Sequence, residues 1–217
     1  MRSFWCWIYR RYILVLALII FVSICGAFLA PIFLSKGAVL PAAVLYNLYA
    51  MTCHQFAYRS WFLFGEQRIY PLDVAGIPTV ASYEDISGND ASDYKAAKAF
   101  IGDATRGYKV ALCQRDIAIY SGILLSCAGF GITKRKWQPI SFPLYIVLGI
   151  LPIFMDGITQ LTGGAVPILN LFPTRESNPI MRTMTGLLFG ITTGLYLFPK
   201  LESALHILKN NYRCEEN

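Results

Sequence analysis

Residues 12–34 form an apolar run, YILVLALIIFVSICGAFLAPIFL, that contains no charged side chain. Because a helix rises 1.5 Å per residue, a run of this length reaches across the roughly 30 Å hydrocarbon core of a bilayer. In the whole chain 55% of the residues are hydrophobic and only 15% are charged. This balance is typical of a polytopic membrane protein rather than a soluble one.

The segment before this run carries Arg2, Arg10 and Arg11, as the basic part of a signal peptide would. The apolar run is longer than the core of a signal peptide, and the residues near its end offer only weak cleavage sites. We therefore expect a retained signal-anchor helix whose N-terminus lies in the cytoplasm.

Three further apolar segments are predicted to cross the membrane, at 116–133, 141–163 and 179–198. Another segment, 38–64, is also long enough to span, but polar residues fill its second half. The distribution of Lys and Arg decides between the two topologies. If 38–64 crossed the membrane, the cluster at 134–136 would face outward, against the positive-inside rule. We therefore predict an all-α, polytopic transmembrane helical bundle with four spans, and five spans as the alternative.

The predicted organisation is one multi-pass domain in the cell membrane, with both termini cytoplasmic. Its parts are the cytoplasmic N-terminus (1–11), the first span (12–34), an interfacial or re-entrant helix (38–64), a polar extracytoplasmic insert (65–112), the second span (116–133), the third span (141–163), an extracytoplasmic loop (164–178), the fourth span (179–198) and a cytoplasmic tail (199–217). The net charge of +6 is scattered around the apolar segments, so the lipid bilayer is an expected partner and nucleic acid is not.

Four polar motifs, far apart in the sequence, are predicted to meet at the outer rim of this bundle. They are CHQ (53–55), CQRD (113–116), DGITQ (156–160) and RESNPIMR (175–182). Ionisable groups are expensive to keep in membrane segments, so their convergence indicates a functional site.

The predicted metal ligands are Cys53, His54, Cys113 and Asp116. Thiolate, imidazole and carboxylate groups all bind zinc, the metal we expect, and the spacing of Cys113 and Asp116 lets one helical turn present both. Three other interpretations stay open. Cys53 and Cys113 form a disulfide in an oxidising compartment, a Cys–His pair makes an activated nucleophile, or His54 and Gln55 bond to the backbone at a helix break.

A second group of polar residues is predicted to face a substrate. Asp156, Thr159 and Gln160 share one helix face through their i, i+3, i+4 spacing. An ionised Asp156 in the membrane needs a cationic partner, for which Arg115 and Arg182 are the candidates, and a purely structural ion pair is the alternative. The full set is Arg59, Arg115, Asp156, Thr159, Gln160, Arg175, Asn178 and Arg182.

Two further patterns concern the last predicted helix. The sequence SNP at 177–179 predicts a helix start with Ser177 or Asn178 as the cap. The N–H groups there, with Arg182, suit an anion such as a lipid phosphate, although ordinary capping explains the pattern equally simply. Gly186, Gly190 and Gly194 form a small-residue stripe that indicates close packing against another helix of this chain, a second copy or a membrane-protein partner.

The four motifs together resemble a family of small integral membrane proteins, found in bacteria and archaea, that is classed as a domain of unknown function. The resemblance covers roughly residues 45–195. Many relatives look like C-H-R followed by C-A-R-C, which matches Cys53, His54, Arg59, Cys113 and Arg115. Asp116 stands where such relatives have a second cysteine, and the long insert is a further departure. The resemblance implies a membrane location and a shared site, but no known activity.

The leading functional hypothesis is therefore an integral membrane protein with a metal-binding site at its extracytoplasmic rim. If it is an enzyme, a question the sequence leaves open, the depth of the site favours hydrolysis or group transfer on a lipid or isoprenoid substrate. The alternative is a non-catalytic accessory subunit that docks through the glycine stripe, with Cys53–Cys113 as a structural clasp. A transporter fits least well, because no inverted repeat is visible.

Overall fold

The computed structural model describes residues 2–161 and 176–211, and long helices dominate it. Helices α1 (Arg2–Ser35), α5 (Gln114–Ile132) and α8 (Pro179–Asn211) pack side by side, with α5 lying along α8. Among the described residues, three helical segments are long and apolar enough to cross a membrane: Cys6–Ser35, Gln114–Ile132 and Phe142–Gln160. The predicted polytopic helical bundle is confirmed.

The third of these segments is not a uniform α-helix. It consists of α6 (Phe142–Tyr145), a π-helical stretch (Ile146–Ile150) and α7 (Leu151–Leu161), and the later part packs against α8. The remainder of the predicted third span and most of the loop at 164–178 lie outside the described residues.

Helix α8 begins where the fourth span was predicted to begin, but it continues to Asn211. It is not among the segments of the described chain that are long and apolar enough to cross a membrane. Arg182 and several threonines, of which Thr185 and Thr192 are buried, lower its hydropathy. These polar residues lie inside the bundle instead of facing lipid, so the four-span arrangement stays a prediction.

The segment 38–64 is not a single helix. Helix α2 covers Val39–Tyr49, and its 11 residues span only about 16 Å, which is too short to cross a bilayer. It folds back along α1, where the Tyr49 hydroxyl donates to the Ser23 carbonyl at 2.5 Å. The second half contains a 3₁₀ turn (Ala57–Arg59) and strand β1 (Ser60–Leu63). The prediction of an interfacial helix is therefore wrong for this half, and the described residues contain no fifth span here.

The polar insert folds together with β1 of the preceding segment into a unit with a three-stranded sheet, which was not predicted from the sequence. Short helices α3 (Tyr83–Ser87) and α4 (Tyr94–Ala99) precede β2 (Gly102–Asp103) and β3 (Gly107–Cys113), and the antiparallel strand order is β1-β3-β2. Its core is mainly aromatic: Tyr58, Phe62, Tyr70 and Tyr83 are all buried. Since β3 leads directly into α5, the sheet fixes the insert to the start of that helix.

The opposite end of the bundle is held by Glu202 of α8. Its carboxylate accepts hydrogen bonds from the hydroxyls of Tyr9 and Tyr12 of α1, at 3.0 and 2.6 Å. Arg135, just after α5, lies 3.5 Å from the same carboxylate. The basic segments near Arg10 and at 134–136 thus lie at one end of the helices and the insert lies at the other.

The glycine stripe packs against another helix of this chain, which is one of the alternatives that the sequence left open. A Cβ atom on Gly186 or Gly190 would lie 2.8 Å from Arg115 O or 2.2 Å from Ile119 O, both on α5. A Cβ on Gly194 would lie 2.2 Å from the Cβ of Ser126. The missing side chains allow α5 and α8 to approach closely, so the stripe is already occupied and no partner protein can use it without displacing α5.

Candidate functional site

A polar cavity of about 170 Å³ lies where the insert meets the ends of the long helices. It contains side chains from all four motifs that the sequence analysis placed at the rim. Its wall is formed by Thr52, Cys53, His54, Gln55, Phe56, Arg59, Cys113, Arg115, Asp116, Gln160 and Arg182. The structure therefore brings together residues that are more than 120 positions apart, as the contact between Arg182 and the Tyr58 carbonyl also shows.

The loop that carries Cys53 is fixed by Gln55. This glutamine has a φ of 57°, is buried, and donates from Nε2 to the carbonyls of Tyr46 (3.0 Å) and Ala111 (2.8 Å). The ammonium group of Lys109 donates to the Gln55 carbonyl at 2.7 Å. Residues 53 and 55 point inward as a result, whereas His54 between them is exposed.

Cys113 and Asp116 are positioned by the junction between β3 and α5. Cys113 caps the helix, since its Sγ accepts the N–H of Asp116 at 3.4 Å. The N–H of Cys113 in turn donates to Cys53 Sγ at 3.3 Å. Both sulfur atoms therefore lie at the N-terminus of a long helix, whose partial positive charge favours anionic groups.

Cys53, Cys113 and Asp116 form a compact cluster of candidate metal ligands. One ligand atom from each lies within 4.8 Å of the other two, and both cysteines are free thiols. The neighbouring Cys113 side chain, then burial, and then Asp116 raise the pKa of the Cys53 thiol above its ordinary value. Because these groups disfavour negative charge on one another, a bound cation would relieve their repulsion.

His54, the fourth predicted ligand, lies outside this cluster. It lines the same cavity, but its ring packs against Phe56 with the ring centroids 5.5 Å apart. The His54 side chain is exposed, whereas those of its neighbours Cys53 and Gln55 are buried.

Three arginines of the cavity are held by two buried carboxylates. Asp156 pairs with Arg115, one of its two predicted partners, and not with Arg182. Glu176 binds Arg59 in a bidentate manner, at 2.9 and 3.0 Å, and also pairs with Arg182. These ion pairs connect the insert, α5, α7 and α8 around the cavity.

The remaining predicted substrate-facing residues have different roles. Gln160 lines the cavity, whereas the Thr159 hydroxyl donates to the Met155 carbonyl of its own helix at 3.0 Å. Asn178 caps α8 by accepting the N–H of Met181 at 2.8 Å, as the SNP pattern predicted. Arg175 lies outside the described residues.

The sequence analysis missed two buried charged residues near the site. Glu176 was passed over between two predicted residues, although a carboxylate beside several arginines was a usable signal. Lys109 gave none, because a lysine in the middle of a polar insert is normally exposed. It is fully buried, and its pKa is lowered to about 7, chiefly by burial.

Comparison with known proteins agrees with a membrane protein of unknown function. Residues 103–196 match a family described as "Predicted membrane protein (DUF2085)". The "Uncharacterized protein MJ1492" of Methanocaldococcus jannaschii is 24% identical over 197 residues, which cover 88% of this chain and 92% of that protein. No solved structure matches the chain. The predicted resemblance to a family of membrane proteins without a known activity is confirmed.

Proposed function

We propose that this protein binds a divalent metal ion, preferably zinc, through Cys53 Sγ, Cys113 Sγ and the Asp116 carboxylate. The observation that carries the proposal is the cluster itself, with its three ligand atoms within 4.8 Å of one another. Two sulfurs and one carboxylate oxygen form a donor set that zinc accepts. Tetrahedral zinc holds two sulfurs about 3.8 Å apart, so side-chain movements of about 1 Å complete the coordination.

Three protein ligands leave the fourth position of a tetrahedral zinc open toward the cavity. Structural zinc sites normally have four protein ligands, whereas catalytic sites keep one position for water or substrate. A metal in this position supplies a Lewis acid or a bound hydroxide at neutral pH. The proposed chemistry is therefore hydrolysis or group transfer.

The position of the site favours a substrate from the membrane. The cavity lies between the folded insert and the ends of apolar helices. Helices α7 and α8 expose Phe154, Ile180 and Met184, each within two positions of Asp156 or Arg182 in the sequence. We infer that a lipid or isoprenoid reaches the cavity from the side. No observation favours the accessory-subunit hypothesis, because its proposed clasp consists of free thiols and its docking stripe is occupied by α5.

Metal content of the full-length protein, purified in detergent with its thiols reduced, tests the proposal. We expect about one equivalent of metal in the wild type, and a sulfur-to-metal charge-transfer band after loading with Co²⁺. Cys113→Ser and Asp116→Asn should lose most of the metal and weaken this band. His54→Ala is the matched control, because its side chain lines the same cavity outside the cluster. The proposal would be refuted if the wild type bound neither zinc nor Co²⁺. It would also be refuted if His54→Ala lost metal to the same extent as Cys113→Ser and Asp116→Asn.

A further inference from the structure

The cavity that holds the metal ligands also contains three guanidinium groups. Arg182 is 1% exposed, and the side chains of Arg59 and Arg115 are 28% and 22% exposed. Burial of three like charges around one space is unfavourable unless something negative compensates them. At a membrane such residues usually mark a ligand path or site.

The carboxylates that pair with these arginines do not belong to the cavity wall. Glu176 and Asp156 are buried and are not among the residues that line this cavity. Within the described part of the chain, Asp116 is the only carboxylate in the wall, and it belongs to the proposed metal site.

The ion pairs also leave donors unused. Arg115 pairs through Nη2, and Arg182 bonds through Nη1 and Nη2. The Nε atoms of Arg115 and Arg182 are buried and have no hydrogen-bond partner among the described residues. A buried charged donor without a partner is costly, and Asp156 Oδ1 is an equally unpaired buried acceptor, so the ion pairs beside the cavity are incompletely satisfied.

We propose that Arg59, Arg115 and Arg182 bind the phosphate group of a phosphorylated amphiphile in this cavity. Guanidinium groups match the oxygens of phosphate in geometry and charge. The volume of about 170 Å³ is several times the roughly 30 Å³ of one water molecule, so a phosphate group fits.

This inference deepens the proposed function, because the phosphate would lie beside the metal in the same cavity. It names the recognised group as a phosphate, whether it belongs to a lipid head group or is free phosphate. The three arginines are not metal ligands, so phosphate binding and metal binding can fail independently.

Two probes test the proposal on the full-length protein in detergent: inorganic phosphate and a short-chain phosphatidic acid, with phosphatidylcholine of the same chains as reference. We expect the wild type to bind phosphatidic acid, and Arg59→Gln to weaken that binding about tenfold, the effect of one charge-assisted hydrogen bond. Arg59→Gln leaves the Glu176–Arg182 pair in place, so the fold should be retained. Arg68→Gln, an exposed arginine of the same insert, is the control and should bind as the wild type does.

The metal-free variant Asp116→Asn separates the two proposals. It should still bind phosphatidic acid, because all three guanidinium groups remain. If the protein binds phosphatidic acid but not inorganic phosphate, the ligand is a lipid head group. If it binds both probes equally well, the phosphate group itself is what the arginines recognise. No binding of either probe, or equal binding by wild type and Arg59→Gln, would overturn the inference.

Discussion

Arg59 and Glu176 are 117 positions apart in the sequence, yet Nε and Nη2 of the arginine lie 2.9 and 3.0 Å from the two carboxylate oxygens. The same carboxylate also pairs with Arg182 of α8. Arg59 immediately precedes the first strand of the insert, and Glu176 lies just before the start of α8. One buried carboxylate therefore joins the folded insert to the membrane bundle.

Replacing this carboxylate should destabilise the protein strongly. Glu176→Gln leaves two guanidinium groups without their counterion, and loss of one partner from a buried pair typically costs about 3–5 kcal/mol. Thermal unfolding of the detergent-solubilised variant measures the effect. Asp103→Asn is the control, because it breaks the Arg106–Asp103 pair whose side chains are 41% and 45% exposed. This exposed pair should contribute only about 0–1 kcal/mol, and equal effects of the two changes would contradict the role of Glu176.

The sequence predicted features that depend on local chemistry. The uncharged run at 12–34 lies within α1, and the SNP pattern correctly located the start of α8 with Asn178 as its cap. Both follow from neighbouring residues, because a span requires continuous apolarity and a cap requires one side chain beside free N–H groups.

Long-range contacts could be predicted only in part. The motifs that line the cavity share polar character at span ends, so their convergence followed from topology. The use of Glu176 as a shared counterion did not follow from topology, since Arg59, one of its two partners, lies 117 positions away in the sequence. The pairing of β1 with β3 joins residues about fifty positions apart, Ser60 with Cys113 and Leu63 with Tyr108, and short strands inside a polar insert carry little signal.

The glycine stripe provides a second stability prediction. Gly190→Ala places a Cβ about 2.2 Å from the Ile119 carbonyl oxygen, so α5 and α8 must separate. Overpacking of this kind costs about 1–3 kcal/mol, which thermal unfolding would detect. Gly131→Ala, on α5, meets no atom within 4 Å and should be neutral or stabilise the helix by up to about 1 kcal/mol. If Gly190→Ala changed only the oligomeric state and left unfolding unaltered, the stripe would serve a partner and not α5.

Lys109 should make stability depend on pH. Its ammonium group donates to the carbonyls of Gln55 and Lys98, both at 2.7 Å, but burial lowers its pKa from 10.5 to about 7. Between these two values the unfolded chain binds a proton that the folded chain has released, so stability rises as the pH increases from about 7 toward the unfolded pKa. Below pH 7 both states carry the proton, and the burial penalty is then fully present.

A lysine-to-methionine substitution removes this dependence while keeping most of the side-chain volume. The wild type should gain about 2 kcal/mol relative to Lys109→Met between about pH 7.5 and pH 9, at about 1.4 kcal/mol per pH unit. Chemical or thermal unfolding at several pH values measures the slope. Lys95→Met, at an exposed lysine of α4, should keep the wild-type slope. Parallel pH profiles for wild type and Lys109→Met would show that the buried lysine does not titrate in this range.

The orientation of the bundle in the membrane is the last prediction. The insert and the segment at 134–136 lie at opposite ends of α5, whose 19 residues span about 28 Å, so they should face opposite sides of the bilayer. Because positive loops face the cytoplasm, we expect Lys95→Cys to react with a membrane-impermeant maleimide in intact cells. Lys136→Cys should react only after permeabilisation, and both native side chains are exposed, so access to the reagent is comparable. The unsubstituted protein gives the background from its own cysteines. The reverse labelling pattern would place the cavity on the cytoplasmic side and would exclude the predicted topology. The metal proposal would remain intact, because the reducing conditions of the cytoplasm keep thiols free.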